Sequence, residues 1–90
     1  MSRAAWEGQV ANSKGVHCRV AARLSEIAAA HDAAVQLANA QGETADCASM
    51  LEILSLALTQ GSAVRCTAEG PEAAQAAQAI ERLLSCPEEH

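Results

Sequence analysis

The 90-residue chain contains no phenylalanine and no tyrosine, and Trp6 is its only aromatic residue. Base-stacking platforms for single-stranded nucleic acid therefore have nothing to be built from. Basic residues are also scarce: six Lys and Arg stand against eleven Asp and Glu, a net charge of -5 with neutral histidines. That balance opposes a phosphate-neutralising footprint, so nucleic acid is excluded as a general partner. No stretch approaches the roughly 20 apolar residues of a membrane span, and the opening "MSRAAWEGQV" lacks the apolar segment of a secretory signal. A cytoplasmic protein without membrane insertion is expected. The cysteines, Cys18, Cys47, Cys66 and Cys86, include no CxxC pair, so neither a zinc site nor a thioredoxin-like couple is signalled. Two disulfides are formally available, but reduced thiols are the simpler expectation for a cytosolic chain.

Half of the residues are hydrophobic, and alanine makes up much of that half. The core must come from Leu, Ile, Val, Met and Ala in closely approaching layers, which leaves little room for an internal aromatic ligand. Chemistry is expected on the surface. A chain this short forms one domain, residues 1–90 with a core over 4–85, burying only about 60% of its unfolded surface.

"AAWEGQV" reads as a strand that Gly8 weakens, with Trp6 packing over or covering an edge. "NSKG" is a turn in which Gly15 supplies conformational freedom. A helix follows His17, with Val20 or Ala21, Leu24, Ile27 and Ala28 along its apolar face. Val35 and Leu37 mark a second strand, which turns near Gln41 and Gly42 and returns to Cys47 as a hairpin. "ASMLEILSLAL" carries Met50, Leu51, Leu54 and Leu58 at helical spacing, with Ser49 near its start. In "SAVRCTA", Val64 and Cys66 point inward while Arg65 and Thr67 point outward. "EGPEAAQAAQAIERLL" is a helix with Pro71 in its first turn, Glu72 at its positive end, and Ala73, Ala77, Ile80 and Leu84 on the packed face. The fold class is therefore α/β, an open-faced sandwich of four mainly antiparallel strands covered on one side by three helices.

"KGVHCRVAARL" places His17 immediately before the first helix. His17 reads either as a solvent-facing residue of the connection or as a nucleophile. Helix-terminal N–H groups beyond it suit phosphate oxygens, and Arg19 offsets their charge. Lys14, Arg19 and Arg23 make a local basic spot for a phosphoryl group or an acidic protein face. A neutral imidazole nitrogen attacks phosphorus, and the positive helix end disfavours the imidazolium. A transient phosphohistidine is the sharper reading. His31 falls at the end of the first helix, where a cation complements the terminal carbonyls, and His90 falls in the tail after Pro87; neither has a catalytic assignment.

The segment "GVHCRVA" resembles the active-site signature of the histidine-containing phosphocarrier proteins of the bacterial phosphoenolpyruvate-dependent sugar phosphotransferase system: Gly, aliphatic, His, Ala or Ser, Arg, Pro, Ala. Gly15, Val16, His17, Arg19 and Ala21 match it, and the resemblance continues through "ASMLEILSLALTQGSAV" and "TAEGPEAAQAAQAIERLL". It implies a relay in which His17 accepts a phosphoryl group on Nδ1 from the general phosphoenolpyruvate-dependent enzyme and passes it to sugar-specific permease components. Arg19 is then the active-site arginine, and the protein is a phosphocarrier and system component more than a stand-alone enzyme. No cofactor is implied, and a monomer keeps the relay face available.

Two positions depart from the signature. Val20 replaces the usual proline, which removes a fixed dihedral and restores a backbone N–H. Cys18 replaces a small residue, and is either another small side chain or a redox-active thiol acidified by the helix end and Arg19. Ser49 matches the family's regulatory phosphorylation serine, implying a serine kinase as a further partner, but a helix-capping hydroxyl explains it equally. Ala48 and Glu52 differ from the residues common around that serine. Met50, Leu51 and Leu54 cannot all enter a core; one or two remain for a partner-binding patch beside His17, with short-lived complexes. The alternatives are a regulatory or nitrogen-branch carrier with the same His17 chemistry, and a small metal-binding module using His17, Cys18 and another thiol.

Overall fold

Along residues 63–69 the side chains of Val64, Cys66 and Ala68 are buried, while Ala63, Arg65, Thr67 and Glu69 are exposed. A strand with one face on a core produces this alternation. In the computed structural model, which describes residues 2–86, that strand lies inside the sheet. The elements are β1 (Arg3–Gln9), α1 (Cys18–Ala30), β2 (Ala34–Asn39), β3 (Thr44–Asp46), α2 (Met50–Ser55), β4 (Ala63–Glu69) and α3 (Ala73–Ser85). The strand order is β1-β4-β2-β3 and every pairing is antiparallel. Since β1 and β2 both run opposite to β4, they are parallel to each other, and α1 joins them across it as a split βαβ unit. The three helices pack on one face of the sheet, giving the open-faced sandwich expected from the sequence.

One row of paired residues shows how the core is assembled. Trp6 pairs with Cys66, Cys66 with Leu37, and Leu37 with Ala45, so the row crosses all four strands. Cys66, Leu37 and Ala45 are buried, and Trp6 closes the row at the sheet edge, half-buried against the core. Gly8 does not interrupt β1. A Cβ there would collide with Cζ2 of Trp6, so the glycine makes room for the indole that covers this edge. On the opposite, solvent-facing side, Arg65 and Glu7 pair across strands at 2.6 Å and Arg3 and Glu69 at 3.1 Å. Both pairs are exposed, so each contributes at most about 1 kcal/mol.

α1 and α3 bury the faces their spacing indicates, while the start of α3 and the buried face of α2 differ from expectation. Val20, Ala21 and Leu24 of α1 are buried, and Ile27 and Ala28 extend that face half-buried. Ala73, Ala77, Ile80 and Leu84 of α3 are buried as expected, joined by Ala76 and Leu83. Pro71, however, lies in the turn before α3, which begins at Ala73. Glu72 makes no side-chain cap on that helix; its carboxylate accepts the Asp32 N–H at 2.6 Å and ties the α1–β2 connection to α3. In α2 the fully buried residue is Ile53, while Leu54 is only half-buried against the core. His31 caps the end of α1, with Nδ1 2.8 Å from the Ile27 carbonyl, in keeping with its expected position. His90 lies outside the described residues.

The connection from β1 to α1 is held from both ends. Asn12 is buried at 2% exposure; its carbonyl accepts the Gly15 N–H and its Oδ1 accepts the Lys14 N–H, both at 2.9 Å. Gly15 then takes φ +67° and lies against the chain after α2, where a Cβ would stand 2.5 Å from the Leu58 oxygen. The next N–H, of Val16, donates to that same Leu58 carbonyl at 2.9 Å. Ala57, just before Leu58, is itself left-handed at φ +52° without being glycine. Each position therefore has a clear expected response. Gly15→Ala should cost about 2 kcal/mol or more, because strain and collision combine. Ala57→Gly should raise stability by about 0.5–1 kcal/mol, relieving left-handed strain less the entropy of glycine. Urea denaturation of both variants checks the pair, and a stabilised Gly15→Ala would contradict the packing described.

Candidate functional site

The first turn of α1 leaves N–H groups without intrahelical acceptors, as every helix start does. Here the residue that caps them is His17, in extended conformation at φ -95° and ψ -175°. Its carbonyl accepts the first regular helical bond, from Ala21 N–H at 2.9 Å. Its Nδ1 accepts the Arg19 N–H at 3.3 Å. An N–H can only donate, so Nδ1 presents its lone pair and the neutral ring carries its proton on Nε2. At 3.3 Å this bond is long and easily exchanged for a better acceptor.

His31 has the opposite arrangement. A carbonyl can only accept, so the bond to Ile27 requires a proton on Nδ1 of His31. Of these two histidines, His17 alone directs an Nδ1 lone pair at a helix N-terminus.

Arg19 approaches His17 through its backbone. Its side chain is exposed and makes no hydrogen bond or ion pair among the described residues. Lys14 and Arg23 are exposed too, so the expected basic residues all reach solvent around the start of α1. Cys18, the first residue of α1, is likewise exposed. Among the described residues no group of three or more His, Cys, Asp and Glu side chains is arranged to hold a metal ion.

The second half of the site comes from α2. Ser25 of α1 donates its hydroxyl to the Ala48 carbonyl at 3.4 Å, and Val16 bonds Leu58. The segment between Ala48 and Leu58 therefore lies along the first half of α1, running the opposite way. It presents Leu51 at 82% exposure and Met50 at 38%, with half-buried Leu54 beside them. These are the two outward apolar residues that a six-residue helix cannot bury while Ile53 faces the core.

Ser49 caps α2, its Oγ accepting the Glu52 N–H at 3.3 Å. Two carboxylates surround it: Glu52 accepts the Asp46 N–H at 3.0 Å, and Asp46 accepts the Ala48 N–H at 2.9 Å through Oδ1. A phosphate on Ser49 would meet both negative charges. Sequence reading noticed Glu52 as unusual but missed Asp46, whose role appears only when the β3–α2 turn folds back.

The cysteines are free. Cys47 lies beside β2 and Cys66 is on β4 on the other side of that strand, so two strand spacings, about 9–10 Å, separate their backbones and forbid a disulfide. Burial pushes the Cys47 thiol up to about 12, helped by Cys66 and Asp46, and pushes Cys66 up to about 11.

A carrier's site needs a nucleophile, donors for the phosphoryl oxygens and a docking face, and this arrangement has the form of a small phosphoryl-carrier sandwich. Residues 7–85 match the family model described as the PTS HPr component phosphorylation site. The chain is 40% identical over 75 residues to phosphocarrier protein HPr of Haloferax volcanii, covering 82% of this chain and 84% of that protein. It is 31% identical over 77 residues to phosphocarrier protein NPr of Escherichia coli, covering 86% of each. The crystal structure of phosphocarrier protein HPr from Bacillus anthracis superimposes with a TM-score of 0.86 at 27% identity, over 93% of this chain and 99% of that one. The chain belongs to the HPr family of phosphocarriers of the phosphotransferase system.

The thiol environments give a direct expectation. At pH 8 a soluble alkylating reagent should modify Cys18 first and half-buried Cys86 next, leaving Cys47 and Cys66 untouched until the protein unfolds. Because folding raises both buried thiols above their ordinary value of 9.0, their contribution to stability is complete below pH 9 and is lost as pH rises through about 11 to 12. Mass-resolved alkylation across an alkaline unfolding series tests both statements; early modification of Cys66 would contradict them.

Proposed function

We propose that His17 is the phosphoryl acceptor of this carrier, taking the group on Nδ1 from the phosphorylated general enzyme of the system and passing it to sugar-specific permease components. The observation that carries this reading is the Nδ1 lone pair of His17 held at the cap of α1, facing the Arg19 N–H. Attack by that lone pair places the phosphoryl oxygens among helix-terminal donors, where their charge is favoured. Nε2 keeps its proton, and the Arg19 guanidinium supplies a compensating charge from solvent. Release to an acceptor is the reverse displacement at the same nitrogen.

Met50, Leu51 and Leu54 serve as the apolar centre of the docking face, and the exposed cations Lys14, Arg19 and Arg23 supply its rim. A monomer keeps this face open to successive partners. A serine kinase acting at Ser49 would add charge beside the same face and weaken docking, working against Asp46 and Glu52. The NPr relative favours a second reading, a regulatory or nitrogen-branch carrier with the same chemistry and different acceptors. Partner panels separate the two: phosphoryl transfer to a sugar permease component supports the first, and transfer confined to regulatory acceptors supports the second.

Intact-mass analysis after incubation with phosphoenolpyruvate, magnesium and the cognate general enzyme should show an acid-labile gain of one phosphoryl group, absent from His17→Ala. Leu51→Asp should raise the KM for the donor about tenfold or more, as loss of an interface anchor does, while leaving thermal stability nearly unchanged because Leu51 is exposed. Undiminished labelling of folded His17→Ala would overturn the acceptor assignment.

A further inference from the structure

The first turn of α1 has one donor more than the family signature provides. The regular helical ladder begins with Ala21 N–H on the His17 carbonyl, and the Arg19 N–H is directed at Nδ1 of His17. Val20 lies between them, in the third helical position, and its N–H has no hydrogen-bond acceptor among the described residues. Val20 is nevertheless fixed: the residue as a whole, backbone included, is 2% exposed within the core cluster formed with Leu24 and the sheet residues. The amide is therefore an enclosed donor held in place by packing beneath the His17 cap. The proline usual at this position of the signature has no N–H.

Resting on the reading of His17 as acceptor, we propose that the Val20 N–H binds a phosphoryl oxygen of phospho-His17 and holds the group on this carrier more firmly. Side-chain acceptors at a helix cap reach the N–H of the second or third helical residue. The imidazole alone reaches the second, Arg19. In the transfer, the Nδ1 lone pair forms the N–P bond, the bond from phosphorus to the phosphorylated donor protein breaks with its electron pair leaving on the donor, and Nε2 retains its proton. Nδ1 then has no lone pair for Arg19, whose N–H turns to one phosphoryl oxygen. The three non-bridging oxygens project beyond Nδ1, which brings a second oxygen to Val20. Val20 is a positioning residue through its backbone, and the predicted consequence is a phosphoryl equilibrium displaced toward the carrier.

The test records amide spectra of the full-length wild type before and after phosphorylation by the donor enzyme, with intact mass confirming the adduct. The Val20 amide proton should move downfield together with that of Arg19. In Val20→Pro, which removes the donor, the phosphoryl equilibrium should shift about tenfold toward the donor protein, the lower end for a hydrogen bond to a charged group. If Val20→Pro does not fold, the wild-type spectrum decides. An unmoved Val20 amide in protein carrying the group overturns this proposal alone. A wild type that gains no phosphoryl group from an active donor overturns the reading of His17 beneath it.

Discussion

The hydrogen bond from the Val16 N–H to the Leu58 carbonyl, made against a left-handed Gly15, is the constraint on which the site depends. It joins the chain entering α1 to the chain leaving α2. Without the close approach that Gly15 permits, the capped start of α1 that carries His17 would have no fixed relation to the α2 surface. With it, the nucleophile, the first-turn N–H groups and the exposed Met50 and Leu51 belong to one region of the molecule. Asn12 supports the same constraint from below by closing the turn through its carbonyl and side-chain oxygen. Its Nδ2 is buried without a hydrogen-bond partner among the described residues, a cost accepted inside the segment that positions the site.

The rest of the fold makes that connection rigid with limited material. Fully buried Leu24, Leu37, Ile53, Ile80 and Leu84 dominate a core without Phe or Tyr, and alanines allow α3 to approach the sheet closely. A helix as short as α2 is not stable in isolation, so its order derives from Ile53 and from the Ser49 cap. The same shortness leaves apolar side chains outside. Their exposure is thus a geometric result of the helix length as well as a resource for transient docking.

The order of elements was legible because its signals were local and repeated. Val64 and Cys66 alternate with Arg65 and Thr67, and Ala73, Ala77, Ile80 and Leu84 recur at helical spacing. His17 was legible from its place between a turn and a helix, together with the signature around it. What escaped the sequence depended on contacts between distant segments. Ile53 could not be separated from Leu54 by periodicity within fewer than two turns. Gly8 looked like a weakness in β1 until Trp6 was seen lying over it. Glu72 looked like a helix-end charge, yet its partner is Asp32 N–H, 40 residues away in the chain. The backbone contact of Arg19 with Nδ1 was likewise hidden, since side-chain chemistry drew the expectation toward its guanidinium.

Phosphate chemistry at a histidine requires a lone pair, and the two ring environments described here differ in where that lone pair lies. The most direct test of the account is the phosphorus–nitrogen coupling in protein labelled with nitrogen-15 at its histidines and phosphorylated by the donor enzyme. The account predicts one coupled nitrogen, Nδ1 of His17. Coupling to Nε2 of His17, or to His31, would contradict it.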